Sequence, residues 1–268
     1  MKDMIPDLIK IVRRAGEAIL EVYNAADFSV EYKPDESPLT EADMRSNRII
    51  LEGLGKITPD IPIISEESKD VPYEQRSSWD KFWLVDPLDG TKEFINRNGE
   101  FTVNIALVED ITPVLGVILV PVKGDIFIGE KDKGSYRLPV SGEDKVRIEA
   151  RKGLPEKLTA VASRSHLSDK ARIFLENMYS DMINAGSALK FTLVAGGEAD
   201  LYPRFGPTWE WDTAAGHAIA EAAGAVVCDL RGNSLSYNKK VLKHEGFLVC
   251  APGVKDKALE EISNITNL

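Results

Sequence analysis

"WLVDPLDGTKEF", residues 83–94, is the stretch on which the reading of this chain turns. Trp83, Leu84 and Val85 form an apolar run suited to a buried strand, and the run stops at Asp86. Pro87 fixes its own φ and stiffens the chain as it leaves the strand. Asp89 stands three positions after Asp86, with Gly90 and the hydroxyl of Thr91 directly behind it. A tight turn asks for such residues. So does a hard divalent cation, which takes carboxylates and backbone carbonyls together. In the second reading Asp86 and the Leu88 carbonyl face one ion and Asp89 a second. Gly90 lets a ligand come close to the backbone. If Thr91 opens a helix through Ile95, its free N–H groups face an anion.

Other acids sit at comparable places. Ile61, Ile63 and Ile64 read as a short strand that runs into Ser65-Glu66-Glu67-Ser68, a second acidic pair at a strand end. Asp212 precedes a helix rich in small residues over 213–223, stopped by Gly224; by itself Asp212 reads as a helix N-cap. Asp43 ends Thr40-Glu41-Ala42-Asp43, which resembles a capping box at the start of a helix through Ile49, Ile50 and Leu54. A catalytic reading of Asp43 needs a partner hydroxyl, and Thr91 is the candidate. So many acids in one place repel each other unless a cation joins them.

The chain around these acids is that of an ordinary globular protein of 268 residues, 43% hydrophobic and 28% charged. Its 33 Lys and Arg against 43 Asp and Glu give a net charge of −10, which argues against nucleic acid as a partner. A small anionic ligand would then need local cations or metal ions. Cys228 and Cys250 lie far apart in no metal-type spacing and read as buried reduced thiols of a cytoplasmic protein. Asp7, Lys10, Arg13, Arg14 and Glu17 break up any apolar leader, so no secretory signal is expected. The longest apolar run, residues 114–122, contains Gly116 and Pro121 and is far too short for a membrane span.

Ile5, Ile9, Val12, Ile19 and Tyr23 place an amphipathic helix over 5–23, and residues 25–39 read as a polar loop. Residues 101–108, 114–120, 125–130 and 134–138 read as strands joined by hairpins, hence antiparallel. Beyond about residue 150 strands at 159–163, 200–202, 226–227 and 247–249 alternate with helices at 167–180, 187–197 and 213–223. An N-terminal α+β half over 1–145, carrying most of the acids, and a C-terminal, more α/β half over 146–268 are expected.

Three blocks together are recognisable: Glu66-Glu67, then Asp86-Pro87-Leu88-Asp89-Gly90-Thr91, then Trp211-Asp212-Thr213-Ala214-Ala215-Gly216. They resemble, in order and across most of the chain, the lithium-sensitive, magnesium-dependent phosphomonoesterases of the inositol monophosphatase and fructose-1,6-bisphosphatase superfamily. Within it the likeness is to the 3'(2'),5'-bisphosphate nucleotidases. It is carried by the run at 83–110, by ASRSH at 162–166, GSALKF at 186–191 and DLYPRFGPTWEWDTAAGHA at 200–218. Lys92-Glu93-Phe94-Ile95 departs from the continuation expected of an inositol monophosphatase.

The resemblance implies an α+β fold, a layered αβαβα sandwich with the site between its halves. It implies hydrolysis of adenosine 3',5'-bisphosphate to AMP and phosphate with two or three Mg2+ ions, inhibited by lithium. An inositol monophosphatase or a broad sugar-phosphate phosphatase is the alternative. Carried over by residue, Glu66, Asp86 and the Leu88 carbonyl hold a first metal, and Asp86, Asp89 and Asp212 a second. Asp43 and Thr91, with Glu66, are the catalytic groups. Gly90, Thr91, His166, Ser187, Lys190, Arg204 and Asp212 are the substrate contacts, Lys190 and Arg204 serving the second phosphate. Two metals about 4 Å apart would acidify a water and shield the phosphate, which suits so slow a hydrolysis. No rival machinery shows: His166, His217 and His244 sit in no nucleophile–base motif, and Ser187 lies in Gly-Ser-Ala rather than Gly-x-Ser-x-Gly.

Overall fold

The structure, a computed structural model, describes residues 4–25, 30–32, 38–68, 71–140, 144–163, 168–178 and 180–266. The chain opens with α1 (Ile5–Tyr23), which has proline in its first turn. Its buried stripe is Leu8, Ile11, Val12, Ala15, Ile19 and Val22, with Ile5, Ile9 and Tyr23 half-buried at the margin. The stripe is therefore centred slightly round the helix from the face the sequence marks, with Gly16 set close against Leu119 of the sheet. A short pair, β1 (Val30–Tyr32) and β2 (Pro38–Thr40), leads into α2 (Glu41–Ile57). Much of the segment read as a polar loop, 25–39, lies outside the described residues.

Next comes the first sheet: β3 (Ile63–Ser65), then the one-turn α3 (Tyr73–Arg76), β4 (Lys81–Asp89), the short α4 (Thr91–Ile95), β5 (Thr102–Glu109), β6 (Thr112–Val120), β7 (Asp125–Glu130), β8 (Gly134–Leu138) and β9 (Val146–Ile148). These seven strands run in sequence order, with β3 parallel to β4 and every other pair antiparallel. The second sheet is built from β10 (Leu158–Ser163), α5 (Asp169–Asn177), β11 (Ser180–Ala185), α6 (Leu189–Ala195), β12 (Leu201–Arg204), β13 (Thr208–Trp209), α7 (Glu210–Ala222), β14 (Val226–Cys228), β15 (Lys243–His244), β16 (Phe247–Cys250) and α8 (Lys255–Thr266). Its order is β11-β10-β12-β16-β14, parallel at β11/β10/β12 and antiparallel at β12/β16/β14. β13 and β15 form a separate two-stranded ribbon.

Period-two alternation sorts the strands' side chains into layers. Trp83, Val85, Ile105 and Leu107 join α1 and α2 in one core, whereas Phe82, Leu84, Ala106 and Val108 face the other way with α6 and α7. In the second sheet Val161, Phe247 and Val249 face that same central core, while Ala160, Ala162, Leu248 and Cys250 pack with α5 and α8. The layers are thus α, β, α, β, α, the sandwich expected. The central core binds the two sheets into one packed unit.

α7 lies very close to the first sheet. A Cβ on Gly116 would come within 2.2 Å of Ala215 O, and one on Gly129 within 2.4 Å of Ile219 Cα. Helix backbone thus rests on strand backbone, which requires glycine at those two strand positions and suits the small residues Ala214, Ala215, Gly216 and Ala218 of α7. Three local expectations are corrected. α7 begins at Glu210 rather than near 213, so Asp212 is its third residue and not its N-cap. The helix read over 167–180 is shorter, Asp169–Asn177, and is followed by the strand β11. β4 does not stop at Asp86. It continues to Asp89 through a bulge, since three steps from Asp86 to Asp89 oppose two from Asn104 to Thr102. Pro87, with no N–H for the ladder, is a residue that a bulge tolerates. Both cysteines are buried and unbonded.

Candidate active site

The bulge explains why β4 carries two acids three positions apart. In a regular strand, residues three apart point to opposite faces. The extra residue turns Asp86 and Asp89 to the same cavity, which measures about 440 Å3 and is also lined by Glu66, Thr91 and Asp212. Glu66 arrives from the turn after β3, where its backbone N–H donates to Val85 O at 3.1 Å. Asp212 arrives from the first turn of α7, where its Oδ2 accepts from Thr208 Oγ1 and, at 3.1 Å, from the Trp209 N–H. Glu66, Asp86 and Asp212 each offer an oxygen within 4.8 Å of the other two. Asp89 stands outside that triple, its Oδ2 taking Asn104 Nδ2 at 3.3 Å and Thr102 Oγ1 at 3.5 Å.

Electrostatics mark the acids as strained without a cation. Burial, followed by the charges of Glu66, Asp89, Asp212 and Asp43, holds the Asp86 carboxyl well above the usual range. Burial and then Asp89 push Asp212 to about 7. Burial pushes Asp89 to about 6, although Lys190 and Asn104 pull it down. Oxygen-only donors, clustered and mutually repelling, are the set a hard divalent ion fits. The residues present therefore suit such an ion.

Asp43 caps α2 and also meets the Thr91 hydroxyl, the partner that a catalytic reading asks for. Its Oδ2 accepts from the Thr40 N–H at 2.8 Å and from Thr40 Oγ1 at 2.6 Å, capping α2. Its Oδ1 receives the Thr91 hydroxyl at 3.3 Å. That hydroxyl is also 3.5 Å from Leu88 O, and the Leu88 N–H donates to Asp86 at 3.1 Å. Burial raises the Asp43 pKa against the two Thr40 bonds. Gly90 has φ +93°, and a Cβ there would lie 2.0 Å from Ser187 Oγ, so conformation and space both require glycine.

The expected substrate contacts line the same cavity, except His166, which lies outside the described residues. Ser187 Oγ lies 2.8 Å from both Asp89 O and Glu100 O, which share its one proton, and ties the turn before α6 to the acid bulge. Lys190 is a buried cation rather than a solvated one: its Nζ donates to Ser187 O at 2.6 Å and sits over the Tyr202 ring. Arg204 donates to Pro207 O at 2.8 Å and Gly206 O at 3.3 Å. Sequence reasoning missed Thr208, Asn104, Trp209 and Lys243. The amide of Asn104, inside an apolar strand, was the legible signal; Thr208 and Lys243 lie on two-residue strands with no periodicity to read.

The inositol monophosphatase family model matches residues 1–267. The chain is 48% identical over 249 residues to the 3'(2'),5'-bisphosphate nucleotidase CysQ of Salmonella typhimurium, covering 91% of this chain and 96% of that one. Against the protein of the same name from Escherichia coli K12 the identity is 46% over the same shares. Among solved structures, CysQ from Bacteroides thetaiotaomicron, described as a bacterial member of the inositol monophosphatase family, superposes with a TM-score of 0.81 at 39% identity, covering 93% of this chain and 98% of that one. A Thermotoga maritima IMPase gives 0.80 at 25% identity over 99% and 98%. With its layers, its acid-lined cavity and these relatives, the chain belongs to the inositol monophosphatase family.

Proposed function

We propose that this protein is a magnesium-dependent 3'(2'),5'-bisphosphate nucleotidase that hydrolyses adenosine 3',5'-bisphosphate to AMP and phosphate. The observation that carries the reading is the convergence of Glu66, Asp86 and Asp212 on one point of a cavity whose other wall is cationic and aromatic. The identity to nucleotidases over nine-tenths of the chain supports the substrate. Glu66, Asp86 and the Leu88 carbonyl would hold one Mg2+, and Asp86, Asp89 and Asp212 a second. Bound there, the ions supply positive charge that shields the phosphate and acidifies water.

The chain's own groups do the rest. The Thr91 hydroxyl donates a hydrogen bond to Asp43 Oδ1, so its oxygen is free to accept from the cavity side. It orients a water; as that water gives one proton to Thr91 Oγ1, Thr91's own proton passes to Asp43, whose other oxygen stays fixed on Thr40. Gly90 keeps the wall open for the phosphate. His166, Ser187, Lys190 and Arg204 hold the nucleotide, Lys190 and Arg204 as charges on its second phosphate. Lithium competes for a magnesium position and inhibits. Two buried unbonded thiols fit a reducing compartment, the cytoplasm. Among the described residues no helix is long and apolar enough to cross a membrane.

The test is phosphate release from adenosine 3',5'-bisphosphate and inositol 1-phosphate in parallel, with magnesium and with or without lithium. A lithium-sensitive preference for the bisphosphate is expected. Preference for inositol 1-phosphate would keep the chemistry and replace the substrate.

A further inference from the structure

Four cations line the cavity that holds the acids: Lys92, Lys190, Arg204 and Lys243. Lys190 is bonded to Ser187 O and its charge acts on Asp89. Arg204 spends two donors on Gly206 O and Pro207 O. Lys92 has a partner as well. Lys243 differs. Among the described residues its ammonium has no carboxylate and no hydrogen-bond acceptor. It rests on the face of Trp209, with Nζ 3.9 Å from the ring centroid. Three N–H donors are therefore left for whatever enters the cavity.

The position of Lys243 is fixed rather than flexible. It pairs with Trp209 across the ribbon of β13 and β15. The Trp209 ring is stacked on Trp211, with centroids 4.8 Å apart and planes 12° apart. The Glu210 N–H donates to Leu242 O at 2.9 Å, which pins the strand bearing the lysine to the start of α7. The same ribbon supplies both donors that orient Asp212, Thr208 Oγ1 and the Trp209 N–H. A cation with open donors and an acid of the centre are thus carried on one rigid piece.

We propose that Lys243 is a specificity-determining residue: it joins Lys190 and Arg204 on the anionic group of the substrate that is not cleaved, and so helps to separate bisphosphates from monophosphates. This rests on the nucleotidase reading above. A phosphate that reaches an open ammonium gains charge-assisted hydrogen bonds. Lys190 and Arg204 have already given some of their donors to backbone carbonyls, whereas Lys243 offers all three. In a chain of net charge −10, a local cation of this kind is what makes a doubly anionic ligand welcome.

Lys243→Met keeps the stem over Trp209 and removes the charge; Lys243→Arg keeps the charge. For each, kcat and KM are measured on adenosine 3',5'-bisphosphate and on adenosine 3'-monophosphate with magnesium. The expected result for Lys243→Met is a loss of roughly ten- to a hundredfold in kcat/KM on the bisphosphate, mostly in KM, and at least about tenfold greater than the loss on the monophosphate. Lys243→Arg recovers most of it. The comparison between two substrates is insensitive to partial misfolding, which lowers both alike. Equal losses on both, or no loss on the bisphosphate, overturn the role of Lys243. Failure of the reading beneath it looks different: wild-type protein would cleave inositol 1-phosphate and neither adenosine ester.

Discussion

Replacing Asp89 by Asn should make the metal-free protein more stable while destroying its activity. Asp89 titrates near 3.8 when unfolded and at about 6 in the fold, chiefly because it is buried. The difference is about 2 units, or roughly 3 kcal/mol at 1.36 kcal/mol per unit, once the carboxyl is ionised in both states. Three things reduce that figure. The cavity leaves Asp89 partly open to water. The neighbouring acids share the relief, and Lys190 loses a favourable partner. Asparagine keeps an acceptor for Asn104 Nδ2 and Thr102 Oγ1, so little else is lost. A net gain of about 1–2 kcal/mol is expected above pH 7, which at about 2–4 °C per kcal/mol raises the midpoint by several degrees.

The sign comes from proton counting. Between the two pKa values the folded wild type holds more proton than the unfolded chain, so its stability falls as pH rises through that window. The variant lacks this contribution. Its advantage should be near zero at pH 4, grow through pH 6 and then level off. Thermal unfolding in chelator at pH 4.5 and pH 8 measures it. Magnesium should raise the wild-type midpoint at pH 8 and raise the variant's far less. A variant less stable than wild type in chelator at pH 8, or a gain that ignores pH, would refute the reasoning.

Thr91→Val should lower kcat by at least about a hundredfold, since the relay to Asp43 is lost, while Thr91→Ser retains most of it; both are read by phosphate release. Gly90→Ala should cost about 1–3 kcal/mol of stability, through a positive φ and a 2.0 Å contact with Ser187 Oγ, and should impair activity even where the protein folds. Apparent magnesium affinity, followed by calorimetry, should weaken as pH falls below about 7 and then about 6, because Asp212 and Asp89, the proposed ligands, take up protons there.

The parts of the fold that were legible are those with strong periodicity and two-sided burial. α1 matches its expected bounds, and the alternating strands of the first sheet lie where the apolar runs place them. β11 was not legible because it is an edge strand: Asp181, Met182 and Asn184 face solvent and show no apolar alternation. The start of α7 was not legible because Glu210 and Asp212 supply no apolar periodicity to mark it, and Glu210 sits inside the fold. It is fully buried, its charge met by Lys239 Nζ at 2.6 Å and the Asn238 N–H at 2.7 Å. At the site, the acids could be picked out because repelling carboxylates need a common reason to converge. The bulge that aims Asp86 and Asp89 together, the burial of Lys190 and the ribbon under Lys243 depend on contacts between segments distant in the chain. No local pattern carries them.

The most direct measurement is anomalous diffraction from crystals grown with Mn2+, AMP and phosphate. Strong anomalous peaks among the carboxylates of Glu66, Asp86 and Asp212, with phosphate bound against Thr91 and Gly90, are expected. Manganese bound elsewhere, or an acid cluster that stays empty with phosphate present, would contradict the claim that these strand ends form one metal and phosphate cradle.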